Sequence, residues 1–277
     1  MITGRTHLYA VIGQPIAHSR SPELQNAAFA AAGIDAAYLA LPVAPERLPE
    51  ALRGAHALGF RGLNVTVPHK QAAAEQCVEL EETARLCGAA NTLLRAEAGW
   101  RGANTDAPAC RDLLRAAGIG TGARSLLLGA GGAALAGAWA LLAAGADVTV
   151  AARRPEAAKA LCDRLGAAFS GGPRPRAASW NAAADLAAGS DVVVNATSIG
   201  LGGQGRGAAP VPVRRGQVVV DFVYGDTSLA RAARAAGASL VTGEELLVRQ
   251  GALAFTLWTG QPAPEATMAA ALAPGRA

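Results

Sequence analysis

The residues able to do chemistry lie in four short polar segments and one glycine turn. The segments are GQPIAHSRSP at 13–22, NVTVPHK at 64–70, GAANT at 88–92 and GANTD at 102–106. Each carries polar residues where an apolar strand end would otherwise continue. Ligands of parallel α/β sheets sit beyond the carboxyl ends of the strands, and Ser19, Asn64, Thr66, Lys70, Asn91 and Asp106 are all placed to reach such a rim. Lys70 stands out because only Lys70 and Lys159 are lysines among 25 Lys and Arg. An ammonium can give up its proton, which a guanidinium does not, so a lysine kept against that bias suits proton transfer. The bland alternative is a salt bridge at the start of a helix.

The glycine turn is Gly129-Ala130-Gly131-Gly132-Ala133-Ala134, a G-x-G-x-x-A pattern between an apolar strand at 125–128 and an apolar helix at 132–144. In that pattern the first glycine permits a tight turn and the second lets backbone N–H groups approach a pyrophosphate. The third small residue lets the helix pack on its strand. The helix N-terminus adds partial positive charge. The competing reading is a purely structural turn in a chain rich in Gly and Ala. At the end of the next strand stands Ala152-Arg153-Arg154, where an NAD site usually offers Asp or Glu. Two guanidiniums there suit a ribose 2′-phosphate and favour NADP over NAD, against a solvated arginine pair.

These residues need a frame. Apolar runs predict strands at 8–13, 37–43 and 63–67, a hairpin of 92–95 with 100–103, and strands at 125–128, 148–151, 192–195 and 218–221. Helical patterns fall at 21–32, 45–58, 69–77, 106–117, 132–144, 155–165, 228–236 and 244–258, with another after Pro264. Ser21 is expected as the N-cap of the first helix, with Pro22 and Glu23 in its first turn. The segment 170–178 reads as loose, and 202–209 as a glycine-rich loop. Strands alternating with helices predict two α/β domains. Residues 1–105 plus 244–277 are expected to form one, with a mostly parallel sheet that binds substrate. Residues 106–243 are expected to form a Rossmann-like nucleotide-binding domain, with an active-site cleft between the two.

Composition excludes several classes. The 277 residues are 51% hydrophobic and 17% charged, which rules out a disordered chain. The formal charge is +4 without a dense basic run, so nucleic-acid binding is not indicated. Four cysteines without a CxxC pair read as reduced thiols, and four histidines show no ligand spacing, so no metal is expected. The uncharged stretch 125–146 is longer than a spanning helix needs, but its glycine turn makes it strand, turn and helix. With no signal-peptide pattern at the N-terminus, a cytoplasmic protein is expected.

Together with NATSIG at 195–200, Gln250, Phe255 and Trp258-Thr259-Gly260, the motifs above resemble the shikimate dehydrogenase family over essentially the whole chain. The resemblance implies NADPH-dependent reduction of 3-dehydroshikimate to shikimate, within the route to chorismate and aromatic amino acids. It implies that Lys70 and Asp106 are the catalytic pair. Ser19 and Ser21 would bind the substrate carboxylate, with Tyr224 near it. Asn64, Thr66, Asn91 and Asp106 would hold ring hydroxyls, and Gln250 would close over the ring. Cofactor contacts are implied for Glu82, Gly129, Ala130, Gly131, Gly132, Ala133, Ala152, Arg153, Arg154, Thr197, Phe222 and Gly243. The family often has Asn-Arg-Thr where this chain has Ala152-Arg153-Arg154. His18 and His69 are read as packing or hydrogen-bonding residues. Two alternatives stay open: a quinate/shikimate dehydrogenase, and an NADP-binding regulatory protein without turnover. A monomer or homodimer acting on a small-molecule substrate is expected.

Overall fold

The structure, a computed structural model, describes residues 2–169, 172, 174–200 and 210–273. The chain divides into two compact units, Met1–Thr105 with Leu247–Ala277, and Asp106–Leu246.

The first unit runs β1 (His7–Gly13), α1 (Ser21–Ala31), β2 (Ala36–Pro42), α2 (Leu48–Ala57), β3 (Gly62–Val65), α3 (Lys70–Glu75), β4 (Glu79–Leu80), α4 (Glu82–Cys87), β5 (Thr92–Ala96) and β6 (Gly99–Ala103). The second runs α5 (Asp106–Ala116), β7 (Arg124–Leu128), α6 (Gly132–Ala143), β8 (Asp147–Ala152), α7 (Pro155–Ala168), β9 (Arg176–Ser179), α8 (Ala183–Gly189), β10 (Val192–Asn195), β11 (Val218–Asp221), α9 (Ser228–Ala236) and β12 (Ser239–Val241). Helix α10 (Gly243–Thr259) carries the chain back into the first unit, and α11 (Glu265–Ala271) follows. The boundary falls inside α10, after Leu246, three residues beyond the position read from the sequence.

The first sheet has the order β2-β1-β3-β5-β6-β4. Strands β2, β1 and β3 are parallel; β5 and β6 form the antiparallel hairpin, and β4 pairs parallel with β6. Side chains alternate along β1. Ala10 and Ile12 join Leu63, Leu93 and Trp100 under Leu48 and Leu52 of α2. Tyr9 and Val11 face the other way, against Leu24 and Phe29 of α1 and Phe255 and Met268 of α10 and α11. At about 25 cal/mol per Å² of apolar area, burial against these helices is what fixes the sheet's register.

The second sheet is wholly parallel, in the order β12-β11-β10-β7-β8-β9. Its central strands read Leu126-Leu127-Leu128, Val192-Val193-Val194 and Val218-Val219-Val220, because helices cover both faces.

Three expectations need correction. Ser21 is not the N-cap of α1; Arg20 holds that position without a side-chain cap bond, and Ser21 is the first helical residue. Part of the segment expected to be loose forms the edge strand β9, paired with β8. Elements β4, α4, α8 and β12 are short and were not expected. The glycine-rich stretch 202–209, and residues 170, 171 and 173 of the loose segment, lie outside the described residues.

Candidate active site

In the first unit, polar side chains gather where β1, β3 and β5 present their rim. Gly13 closes β1 because a Cβ there would lie 2.4 Å from Thr66 Cγ2 and 3.0 Å from the Val67 carbonyl oxygen. The absent side chain lets the NVTVPHK segment lie against the strand end. The Thr66 N–H donates to Ile12 O (2.9 Å), and the His69 N–H donates to Thr66 O (2.9 Å). Lys70 then opens α3, half-buried, with its carbonyl oxygen receiving the Ala90 N–H (2.9 Å). His69 is buried with Nε2 2.7 Å from Val43 O, a structural hydrogen bond. His18 is exposed.

Asn64 is buried, and every hydrogen of its amide is engaged. Nδ2 donates to Asn91 O (3.1 Å) and to Thr92 Oγ1 (3.1 Å), while Oδ1 accepts from the Tyr38 hydroxyl (2.6 Å). Asn91 is held as firmly: Oδ1 accepts the Thr105 N–H (2.7 Å), and Nδ2 donates to Thr105 Oγ1 (3.0 Å) and Gln250 Oε1 (3.4 Å). Gln250 in turn donates to Leu247 O (2.9 Å). Ser19 is half-buried, and its Oγ accepts the Ser21 N–H (3.3 Å). Thus Ser19 and Ser21 form one hydrogen-bonded group, and Asn64, Asn91 and Gln250 belong to a second, joined through Thr92 and Thr105. Burial makes such networks rigid, because an unmet amide inside the protein costs about 1–3 kcal/mol. Thr66 and Lys70 sit on the segment that leaves β3. Glu82 lies apart from them in sequence, opening α4 after the edge strand β4.

In the second unit, Gly129 has φ 108°, a region L side chains avoid, and a Cβ there would lie 2.8 Å from the Ala196 carbonyl oxygen. Its N–H donates to Ala151 O (2.9 Å), tying the turn to the end of β8. Gly131 is the N-cap of α6 in extended backbone, and a Cβ on Gly131 or Gly132 would meet nothing within 4 Å. The turn therefore has an open face at the helix N-terminus, bordered by Ala130 and Ala133, as a bound pyrophosphate requires. Ala134 is fully buried against the sheet. Ala152 ends β8 and is buried; Arg153 and Arg154 follow it, both exposed, with Arg154 capping α7. The donor set fits a dinucleotide bearing a 2′-phosphate.

Thr197 belongs to the loop after β10. Its N–H (3.1 Å) and hydroxyl (2.6 Å) both donate to Asn195 Oδ1, and Asn195 Nδ2 donates to Asp221 Oδ1 (2.9 Å). Asp221 is buried and also accepts from Thr227 Oγ1 (2.5 Å) and the Val223 N–H (3.1 Å). Burial raises its carboxyl pKa, and those hydrogen bonds only partly offset the rise. Phe222 packs against the hydrophobic core beside α6. At Gly243 a Cβ would lie 2.7 Å from Val223 O and 2.8 Å from Tyr224 Cδ1, so α10 begins hard against that loop. Tyr224 as a whole residue is 40% exposed. Even so, desolvation of the hydroxyl, then the carboxylates of Asp106 and Glu244, push its phenol up to about 12. Asp106 opens α5 in the same unit.

Sequence reasoning passed over Tyr38, Thr92, Thr105, Asn195 and Asp221. Thr92 and Thr105 were visible inside GAANT and GANTD as companions of the asparagines. The Asn195–Asp221 pair was visible as the polar ends of two valine runs. Tyr38 gave no local signal. Among the described residues, no group of three His, Cys, Asp or Glu side chains is placed to hold a metal. No described helix is long and apolar enough to cross a membrane.

A polar rim on a mostly parallel sheet, followed by a wholly parallel sheet whose glycine turn opens a helix, defines a dinucleotide-dependent α/β oxidoreductase. The family model "Shikimate dehydrogenase substrate binding domain" matches residues 11–93, and "Shikimate 5'-dehydrogenase C-terminal domain" matches 243–273. The chain is 65% identical to the shikimate dehydrogenase (NADP(+)) of Anaeromyxobacter sp. (strain K) over 98% of both chains. It is similar to the solved shikimate dehydrogenase of Aquifex aeolicus, with TM-score 0.90, 33% identity and coverage of 98% and 99%. The Thermus thermophilus enzyme, solved in complex with NADP(H) and shikimate, gives TM-score 0.85, 37% identity and coverage of 96% and 98%. The chain belongs to the shikimate dehydrogenase family.

Proposed function

We propose that this protein catalyses the reversible, NADP-dependent reduction of 3-dehydroshikimate to shikimate. The observation that carries the reading is the hydrogen-bonded row Asn64–Asn91–Gln250 at the rim of the first sheet, with both asparagines buried and Gln250 half-buried. It occurs in a chain 65% identical to a relative named for this activity. A carbocycle with several hydroxyls and a carboxylate needs a fixed array of this kind.

Ser19 and Ser21 bind the carboxylate, with Tyr224 near it. Asn64, Thr66, Asn91 and Asp106 bind ring hydroxyls, and Gln250 covers the ring. The residues that would hold NADP are Gly129, Ala130, Gly131, Gly132, Ala133 and Thr197 toward the pyrophosphate, and Ala152, Arg153 and Arg154 toward the 2′-phosphate. Glu82, Phe222 and Gly243 are assigned to the cofactor's neighbourhood. When bound, NADPH supplies the hydride. Lys70, as an ammonium, donates a proton to the carbonyl oxygen as it gains negative charge, and takes it back in oxidation. Asp106, the second member of the proposed catalytic pair, accepts from the same hydroxyl. Arginine in place of Lys70 would hold its proton and stop the cycle. The enzyme is cytoplasmic in this reading, and works as a monomer or homodimer.

The test is NADP reduction by purified protein offered shikimate, quinate or neither, each repeated with NAD. Turnover of shikimate with NADP, well above quinate or NAD, is expected. Comparable turnover of quinate would make it a quinate/shikimate dehydrogenase, and no turnover with either acid would leave an NADP-binding protein.

A further inference from the structure

Tyr38 holds the asparagine group of the proposed substrate site from within the sheet. It lies on β2, and its backbone is clamped on the free edge of that strand by Asn26 of α1. The Tyr38 N–H donates to Asn26 Oδ1 (2.8 Å), and Asn26 Nδ2 donates to Tyr38 O (2.9 Å). Across the sheet, Tyr38 is in register with Tyr9, and Tyr9 with Gly62, so their side chains share a face with Asn64, two residues along β3. The Tyr38 ring packs 6.2 Å from the Trp258 ring and is 2% exposed. Solvent cannot replace the partners of its hydroxyl.

A phenol has one proton to give. Here it goes to Asn64 Oδ1 at 2.6 Å. Both Asn64 Nδ2 hydrogens are already engaged by Asn91 O and Thr92 Oγ1. The amide can then meet a ligand only through the remaining lone pair of Oδ1. Without the phenol proton, the two faces of the amide differ less, and its orientation loses one of three anchors.

We propose that Tyr38 is a positioning residue: its hydroxyl fixes the Asn64 amide as an acceptor, so the group recognised there is a hydroxyl that donates. This rests on the reading of Asn64 as a substrate ligand. The decisive variant is Tyr38→Phe, which keeps the ring and its packing and removes only the hydroxyl. The KM for shikimate is expected to rise about 5- to 10-fold, the worth of one well-placed hydrogen bond. The KM for NADP and kcat are expected to stay near the wild-type values. The inhibition constant of cyclohexenecarboxylate, a ring acid without hydroxyls, is expected to stay within about twofold. If Tyr38 only fills space, the phenylalanine rescues it and the KM for shikimate does not move, which overturns the proposal. An equal loss for shikimate and cyclohexenecarboxylate also overturns it, since the effect then lies on the carboxylate side. Asn64→Ala separates the two layers: an unchanged KM for shikimate in that variant removes Asn64 from the substrate site itself.

Discussion

Gly129 and Gly131 are expected to fail in opposite ways when each becomes alanine. At Gly129 the backbone has φ 108°, and a Cβ would stand 2.8 Å from the carbonyl oxygen of Ala196. The obstacle is backbone, so it cannot swing aside. Holding alanine in that region costs about 1–3 kcal/mol before the contact is counted. Gly129→Ala should therefore destabilise the second unit by about 2–3 kcal/mol, a fall of roughly 6–15 °C in Tm. At Gly131 the backbone is extended, and a Cβ would meet nothing within 4 Å. The entropy gained from a stiffer unfolded chain roughly balances a poorer helix cap, so Tm should move little. The new methyl instead stands on the open face where phosphate oxygens would approach backbone N–H groups. Loss of one such charge-assisted hydrogen bond, about 1.5–3 kcal/mol, weakens NADP roughly 10- to 100-fold. Circular dichroism melts without ligand and calorimetric titration with NADP read the two effects separately. A Gly131→Ala protein binding NADP as tightly as wild type would refute the reasoning. So would a Gly129→Ala protein melting with wild type.

Two further outcomes follow from burial. Burial raises the Cys110 thiol to about 12, with the Asp106 carboxylate adding to the rise, and lifts Cys77 and Cys162 to about 11. Native protein at neutral pH should therefore react slowly with a thiol reagent, Cys77 leading because Cys87, Cys110 and Cys162 are buried, and fast labelling of all four would contradict this. The raised carboxyl of Asp221 gives a pH dependence of definite sign. A folded pKa above the unfolded value of about 3.9 makes its contribution complete below that value and lost as pH rises through the folded one. The stability advantage of wild type over Asp221→Asn in urea melts should shrink as pH climbs through that window, and an advantage that grows would reverse the assignment.

Much of this architecture was written locally. Valine and leucine runs at 126–128, 192–194 and 218–220 announce buried parallel strands because both faces must be apolar, and the glycine turn announces its own helix. What stayed illegible depends on neighbours. The strands β4, β9 and β12 hold two to four residues at sheet edges, too few to show an apolar alternation, and β9 is largely exposed as well. Ser21 looks like a helix cap by type and position, but it is itself the first helical residue, and the helix starts one residue earlier than a cap would allow. Tyr38 and Asn64 are 26 residues apart, and nothing links them until the order β2-β1-β3 is known. Only register across three strands places a phenol under an amide.

The turnover of Lys70→Ala bears most directly on the proposed mechanism. With saturating NADP and shikimate, kcat should fall by about 100-fold or more, the usual worth of a positioned acid–base group, while the KM for shikimate moves by no more than about threefold. A Lys70→Ala enzyme that oxidised shikimate at a rate near that of the parent would show that the proton is handled elsewhere, and would contradict the mechanism.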